Sequence, residues 1–224
     1  MFKKPFYLFA YTLLVIIISS LITTAYFHYF VLNQNSGPEQ QTLTMVSESD
    51  VKTSPINTDN TIVEIFSYGC HYCALNEENV AKMEARMPAG TQLVRVHIAN
   101  LNNDGLASFA PLFATLTVMG IEPQHRESAY DAIIKGKIDL SNPVNRDKWL
   151  TKNGIDLAAY NKASQTPQVA ELLDYMTKVS GHYKIRATPT FIVNKKWMAV
   201  QDRDFPEFAD HLLSLLQHDK PLEQ

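Results

Sequence analysis

Two cysteines occur in the 224 residues of this chain, and they stand three apart, in Cys70-His71-Tyr72-Cys73. A disulfide framework spreads several pairs along a chain, so one closely spaced pair points to a working dithiol. The pair lies in Thr61–Leu75 (TIVEIFSYGCHYCAL), where an apolar run meets a glycine, then the cysteines, then a helix-like pattern. A cysteine at the start of a helix faces unpaired N–H groups and the positive end of the helix dipole, and both favour a thiolate. The thiolate is the nucleophile, and such placement lowers a cysteine pKa from about 8.5 to roughly 3.5–7.5. A second cysteine one turn on is close enough to close a small disulfide ring. On this reading Cys70 is the exposed attacking sulfur and Cys73 the covered resolving one.

Other uses of the pair fit less well. A structural zinc site takes four ligands at defined spacing, and beside this pair His71 has no second CxxC or closely spaced histidine pair to complete one. A purely structural bridge of this span constrains the unfolded chain little. His97 falls in a strand-like segment, and His125, His182, His211 and His218 are scattered without ligand spacing, so neither a metal nor an organic cofactor is expected.

The elements that position the dithiol follow from periodicity. Ile62–Phe66 is β-rich and mostly apolar, as in a buried strand. From Cys73 a helical spacing runs through Val80 and Met87, with Leu75 and Met83 beside them, until Pro88-Ala89-Gly90 stops it. Gln92–Ala99 alternates as a second strand, and strand–helix–strand implies a parallel pair with a right-handed crossover. Leu106–Met119, Arg126–Lys135 and Pro167–Val179 have helical patterns. Thr166-Pro167 is an N-cap and first-turn pair, and Gly181 a C-terminal stop. Thr190–Val193 and Trp197–Val200 form a hairpin across Asn194-Lys195-Lys196, and Pro206–Gln217 is the closing helix. Glu64 shares the strand face of Ile62 and Phe66, where a buried carboxylate is costly and its pKa should rise.

Before this domain, Lys3 and Lys4 lead an apolar run from Phe6 to Leu32. A secretory apolar core needs about 7–15 residues and a membrane span about 20, so Met1–Leu32 is expected to be an uncleaved signal anchor. Tyr26, Phe27, Tyr29 and Phe30 would form its aromatic belt, and with no Lys or Arg between Lys4 and Lys52 its N-terminus would stay cytoplasmic. Residues 33–58 are polar, with Gly37, Pro38 and Pro55, and are expected to be a flexible linker, with a short strand near Leu43–Val46. Residues 59–224 make one soluble domain of ordinary size. The net charge of −3 gives no nucleic-acid surface.

Over about Thr61–Gln217 the chain resembles the DsbA family of thioredoxin-like thiol oxidoreductases. Three features carry the resemblance. The strand-FSYGCHYC-helix unit has Glu64 ahead of Cys70 by the spacing the family uses for a buried acid. A helical insertion, about 101–184, falls in the middle of the fold. Ala187-Thr188-Pro189-Thr190 opens the late strand. The resemblance implies an α/β, thioredoxin-like fold with that insertion, and the apolar run at the start of the chain is expected to add one N-terminal transmembrane helix before it. It also implies that the bond before Pro189 is cis and packs on the disulfide, leaving the Thr188 backbone to pair with an extended substrate. Glu64 would exchange the proton of Cys73 through water, with Arg95 as its basic partner.

Protonated His71 would stabilise the Cys70 thiolate, and with Tyr72 it tunes the couple. Strong oxidases of the family resemble Cys-Pro-His-Cys; here histidine holds the first inner position and Tyr72 the second, and Thr188 stands where they have valine. Tyr72 and Thr188 are more like the isomerases.

The expected function is an extracytoplasmic, membrane-tethered thiol:disulfide oxidoreductase at a bacterial inner membrane, with its catalytic domain in the periplasm. It would form disulfides in exported proteins that carry cysteines and be reoxidised, by analogy, by a DsbB-like membrane protein. An isomerase or reductase with the same dithiol is the nearest alternative, although residues 33–58 are too short and polar for an isomerase's dimerisation domain. A membrane-anchored copper-binding module is the other, since soft thiolates suit Cu(I).

Overall fold

β2 (Thr61–Phe66) is buried along its whole length, and the sheet is assembled around it. In the computed structural model, which describes residues 3–27 and 42–222, the strand order is β1-β5-β4-β2-β3. β3 (Gln92–His97) runs parallel to β2, with Glu64 opposite Arg95 and Phe66 opposite His97. β4 (Thr190–Val193) lies antiparallel on the other side of β2, and β5 (Trp197–Val200) antiparallel to β4. Their three-residue connection, Asn194-Lys195-Lys196, puts Asn194 and Lys195 at φ 51° and 63°, both left-handed, and the Lys196 N–H donates to the Val193 carbonyl at 3.0 Å.

Alternation along β2 divides the core, because successive side chains leave a strand on opposite faces. Ile62 joins Phe191 and Val193 of β4, Val80 and Met83 of α3 (His71–Glu84), and Phe208 and Leu212 of α9 (Phe205–His218). Val63 and Ile65 join Ile192 and the helical insertion. Helices therefore cover both faces.

The insertion is more finely divided than periodicity implies. A 3₁₀ turn, Gly105–Phe109, precedes α4 (Ala110–Val118), because Pro111 without an N–H suits a helix's first turn rather than its interior. For the same reason Pro123 sits in the first turn of α5 (Glu122–Tyr130), which begins ahead of Arg126 and ends in a wide turn, Asp131–Lys135. Two helices had no counterpart in the apolar pattern. α6 (Pro143–Lys152) is capped by Asn142, and α7 (Leu157–Ser164) by Asp156. α8 (Pro167–His182) runs one residue past Gly181.

The stretch read as a linker contributes to this unit from Thr42 onward. β1 (Leu43–Met45) pairs antiparallel with β5, and the Thr42 carbonyl extends the ladder by accepting from the Val200 N–H. α2 (Glu48–Lys52) starts on a Ser47 cap, and the Ser54 and Tyr183 hydroxyls are 2.7 Å apart. This segment is thus held by sheet and side-chain hydrogen bonds. The chain divides into units Met1–Gln41 and Thr42–Gln224.

In the first unit, α1 spans Lys3–Tyr26. Among the described residues no helix is long and apolar enough to cross a membrane. The expected transmembrane anchor is therefore unsupported. Thr12, Ser19, Ser20, Thr23 and Thr24 interrupt its apolar surface, and residues 28–32 of the expected anchor lie outside the described residues. Tyr29 and Phe30 of the expected aromatic belt lie outside the described residues.

Candidate active site

The chain leaves β2 at Phe66 and reaches Cys70 through a short, heavily bonded loop. The Ser67 hydroxyl donates to the Leu106 carbonyl at 2.8 Å and accepts from the Gly69 N–H at 3.0 Å. The Cys70 N–H donates to the Ser67 carbonyl at 2.9 Å. At Tyr68 the backbone N–H donates to Nε2 of His97 at 3.1 Å, so the imidazole proton sits on Nδ1, 2.7 Å from the Ile98 carbonyl. His97 is fully buried among Phe66, Tyr68 and Phe113. Burial drives its pKa down to about 4 despite the hydrogen bond to Ile98, so at neutral pH it is an uncharged fixture of the loop. Spacing alone gave no sign of this role; its place at the last residue of β3, beside Phe66, is the signal.

Gly69 packs against the insertion. A Cβ there would stand 3.0 Å from the Phe109 ring and 3.2 Å from Leu106. Gly69→Ala is expected to cost on the order of 1 kcal/mol in urea unfolding, because both side chains must retreat.

Cys70 is the N-cap of α3. Its sulfur accepts the Cys73 N–H at 3.1 Å and is bonded to the Cys73 sulfur, with the two Cα atoms 5.2 Å apart. Cys73 is fully buried and Cys70 retains 5% exposure. The order of access matches an attacking and a covered sulfur, yet Cys70 is far less open than an exposed residue. One reason is the facing loop: the Thr188 carbonyl oxygen lies 3.3 Å from the Cys70 sulfur, and the Thr188–Pro189 bond is cis. The Thr188 hydroxyl is buried without a hydrogen-bond partner. His71 and Tyr72 are exposed on the first turn of α3, their rings 6.0 Å apart. Two clefts flank the pair. One, of about 510 Å³, is lined by Tyr72, Thr188, Pro189, Val200, Gln201 and Arg203 among others. The second, of about 590 Å³, lies between α3 and α5, with His71, Leu75, Glu77, Arg126 and Tyr130 in its walls.

Beneath the helix, Glu64 is 1% exposed, and neither carboxylate oxygen has a hydrogen-bond partner. Arg95 Nη1 stands 3.1 Å from Oε2, close enough for charge attraction but not aligned as a hydrogen bond. Burial raises the Glu64 pKa to about 7 against the pull of Arg95. Arg95 binds more firmly to Glu77 of α3, at 2.7 Å. Glu77 in turn lies 3.6 Å from Arg126 of α5, which grips Glu122 with two hydrogen bonds of 2.9 and 2.5 Å. Glu122 also accepts the Tyr68 hydroxyl at 2.9 Å, which closes the chain of polar groups back onto the cysteine loop. Glu77, Glu122 and Arg126 escape a motif search because they reach this cluster from two helices far apart in sequence.

A mixed sheet with one parallel crossover, helices on both faces and a disulfide at the head of the crossover helix place the molecule in the thioredoxin-fold class. The comparisons narrow the class: the chain belongs to the DSBA-like thioredoxin domain family, whose family model matches residues 81–213. That match begins inside α3, just beyond Cys73. The chain is 31% identical to the thiol:disulfide interchange protein DsbA of Azotobacter vinelandii over 137 residues, 61% of this chain and 63% of the relative. It is 25% identical to the Pseudomonas aeruginosa protein of that name over 141 residues, 61% of this chain and 64% of the relative. The chain thus covers less than two thirds of either relative's length. Among solved structures, Pseudomonas aeruginosa DsbA superposes with a TM-score of 0.66 at 22% identity, covering 77% of this chain and 91% of that one. The oxidoreductase NmDsbA1 from N. meningitidis gives 0.64 at 23% identity, covering 80% and 91%. These structural likenesses establish the fold.

Proposed function

We propose that the protein is a thiol:disulfide oxidoreductase that introduces disulfides into exported, cysteine-bearing proteins outside the cytoplasmic membrane. The observation that carries this reading is the Cys70–Cys73 disulfide, set at the N-terminus of α3 and faced by the Thr188 carbonyl. A substrate thiolate attacks the Cys70 sulfur; the Cys70–Cys73 bond breaks, and the electron pair leaves on Cys73. A second substrate thiolate then attacks the substrate sulfur of the mixed disulfide and releases Cys70 as a thiolate. That thiolate is stabilised by the dipole of α3 and by the Cys73 N–H already aimed at its sulfur.

Within this reading the other residues have separate tasks. Glu64, holding a proton near neutral pH, gives it through water to the Cys73 thiolate as it forms, with Arg95 as the basic group 3.1 Å from its carboxylate. The Thr188 backbone, ahead of Pro189, aligns an extended substrate segment along the cleft bounded by Tyr72 and Gln201. His71, exposed beside Cys70, adds a positive charge when protonated. A reduced dithiol needs an electron acceptor for the next turnover, by analogy a DsbB-like membrane oxidant. The chemistry fits an oxidising compartment, the periplasm in a bacterial cell.

Tyr72 and Thr188, the two residues facing the substrate cleft beside the disulfide, favour a second reading as an isomerase or reductase. Equilibration with glutathione separates the readings. We expect a Cys70–Cys73 potential near −120 mV, like a strong oxidant; one near the roughly −270 mV of thioredoxin overturns the oxidase direction.

A further inference from the structure

The largely buried polar cluster under α3 has an odd charge count. Three carboxylates, Glu64, Glu77 and Glu122, share two guanidinium groups, Arg95 and Arg126. They come from four elements: β2, β3, α3 and α5. Tyr130 of α5 faces the same cluster; it is buried, and burial, then the charges of Glu77 and Glu64, raise its pKa. Burying a net charge is costly, so a cluster one guanidinium short retains a proton on its least supported carboxylate.

Geometry decides which carboxylate that is. Glu122 receives a two-pronged guanidinium and a phenol. Glu77 lies between both arginines. Glu64 has one unaligned arginine, which is itself bonded elsewhere, and no hydrogen bond at all.

We propose that Glu122, in the helical insertion, is a positioning residue that keeps the shared proton on Glu64 by holding Arg126. It acts through Arg126, Glu77 and Arg95, without touching Glu64 or the cysteines. Arg126 is committed to Glu122, so Glu77 draws on Arg95 and thereby weakens the nearest positive partner of Glu64. Removing the charge of Glu122 frees Arg126 for Glu77, frees Arg95 for Glu64, and balances two carboxylates with two arginines. The insertion would then do more than cover the sheet: it sets the protonation of the acid beneath the dithiol. This rests on the oxidoreductase reading only for its consequence, the timing of proton delivery to Cys73.

The test follows the Glu64 carboxyl directly, by ¹³C NMR titration of the full-length disulfide form with labelled glutamate, using Glu64→Gln to identify the signal. Glu122→Gln is expected to lower the Glu64 midpoint by about one pH unit or more, a tenfold change in ionisation. Arg126→Gln is expected to raise it, and Arg126→Lys to return it to within about half a unit of the parent. A Glu64 midpoint in folded Glu122→Gln that stays within about 0.3 unit of the parent overturns the proposal. Should Arg126→Gln fail to fold, the Glu122→Gln titration decides alone. Thiol–disulfide exchange is measured alongside. A parent protein without exchange sinks the functional reading and leaves the titration result standing. With both readings correct, the pH profile of exchange moves in the direction of the Glu64 midpoint.

Discussion

Cys70→Ser is expected to lose thiol–disulfide exchange by roughly 10³-fold or more, whereas Cys73→Ala is expected to accumulate an adduct. The asymmetry comes from the placement of the two sulfurs. Cys70 caps α3, keeps the only exposure of the pair, and has the Cys73 N–H directed at it. Cys73 is fully buried. With Cys73 replaced, the Cys70 thiolate attacks oxidised glutathione, releases one glutathione thiolate and remains as a mixed disulfide, because no neighbouring sulfur is present to expel the other half. Intact-mass measurement after brief exposure to oxidised glutathione should show one glutathione on Cys73→Ala and none on Cys70→Ser. An adduct on Cys70→Ser would reverse the assignment of attacking and resolving sulfur. Equal exchange by Cys70→Ser and the parent would end the oxidoreductase reading.

The parts of this molecule that a sequence reader can find share one property: their information is local. The β4–β5 hairpin is legible because Asn194 marks its turn and apolar residues flank it on both sides. The parallel β2–β3 pair follows from one strand–helix–strand run. Cys70 and Cys73 stand out because no other cysteine competes with them. α6 and α7 were not legible, since Trp149 with Leu150 in one and Tyr160 in the other are their only fully buried residues, too few to make a periodic stripe. Their caps, Asn142 and Asp156, were the available signal. β1 was marked only as a short strand inside a polar stretch, because its pairing with β5 spans most of the domain. At the site the same limit applies more strongly. Glu64 draws notice as a charge in an apolar strand, but its environment is set by Glu77 and, through it, by Arg126 and Glu122 on α5. His97 looked like any strand residue until its ring was seen to hold the Tyr68 N–H.

Two buried groups of opposite habit give the second large expectation, opposing contributions to the pH dependence of stability. His97 has its pKa lowered from 6.5 to about 4 by burial. Between those values the unfolded chain binds a proton that the folded one refuses, so stability rises with pH across that window and is lost as pH falls through it. Glu64 has its pKa raised from 4.5 to about 7, again by burial. Between those values the folded protein holds a proton that the unfolded chain has released, so its contribution is present below 4.5 and is lost as pH rises through 7. Each shift corresponds to about 3 kcal/mol over its window. From about pH 4.5 to 6.5 the two slopes oppose each other and nearly cancel. Glu64→Gln removes one of them. Its stability relative to the parent, from urea unfolding of the disulfide form, should therefore rise by about 3 kcal/mol as pH is raised from 4.5 to 7. His97→Gln, whose amide oxygen can still accept the Tyr68 N–H, should show the opposite trend against the parent between pH 4 and 6.5. A Glu64→Gln difference that is flat across that range would mean that Glu64 ionises in the folded protein as it does in the unfolded chain. In that event it holds no proton to give to Cys73 at neutral pH.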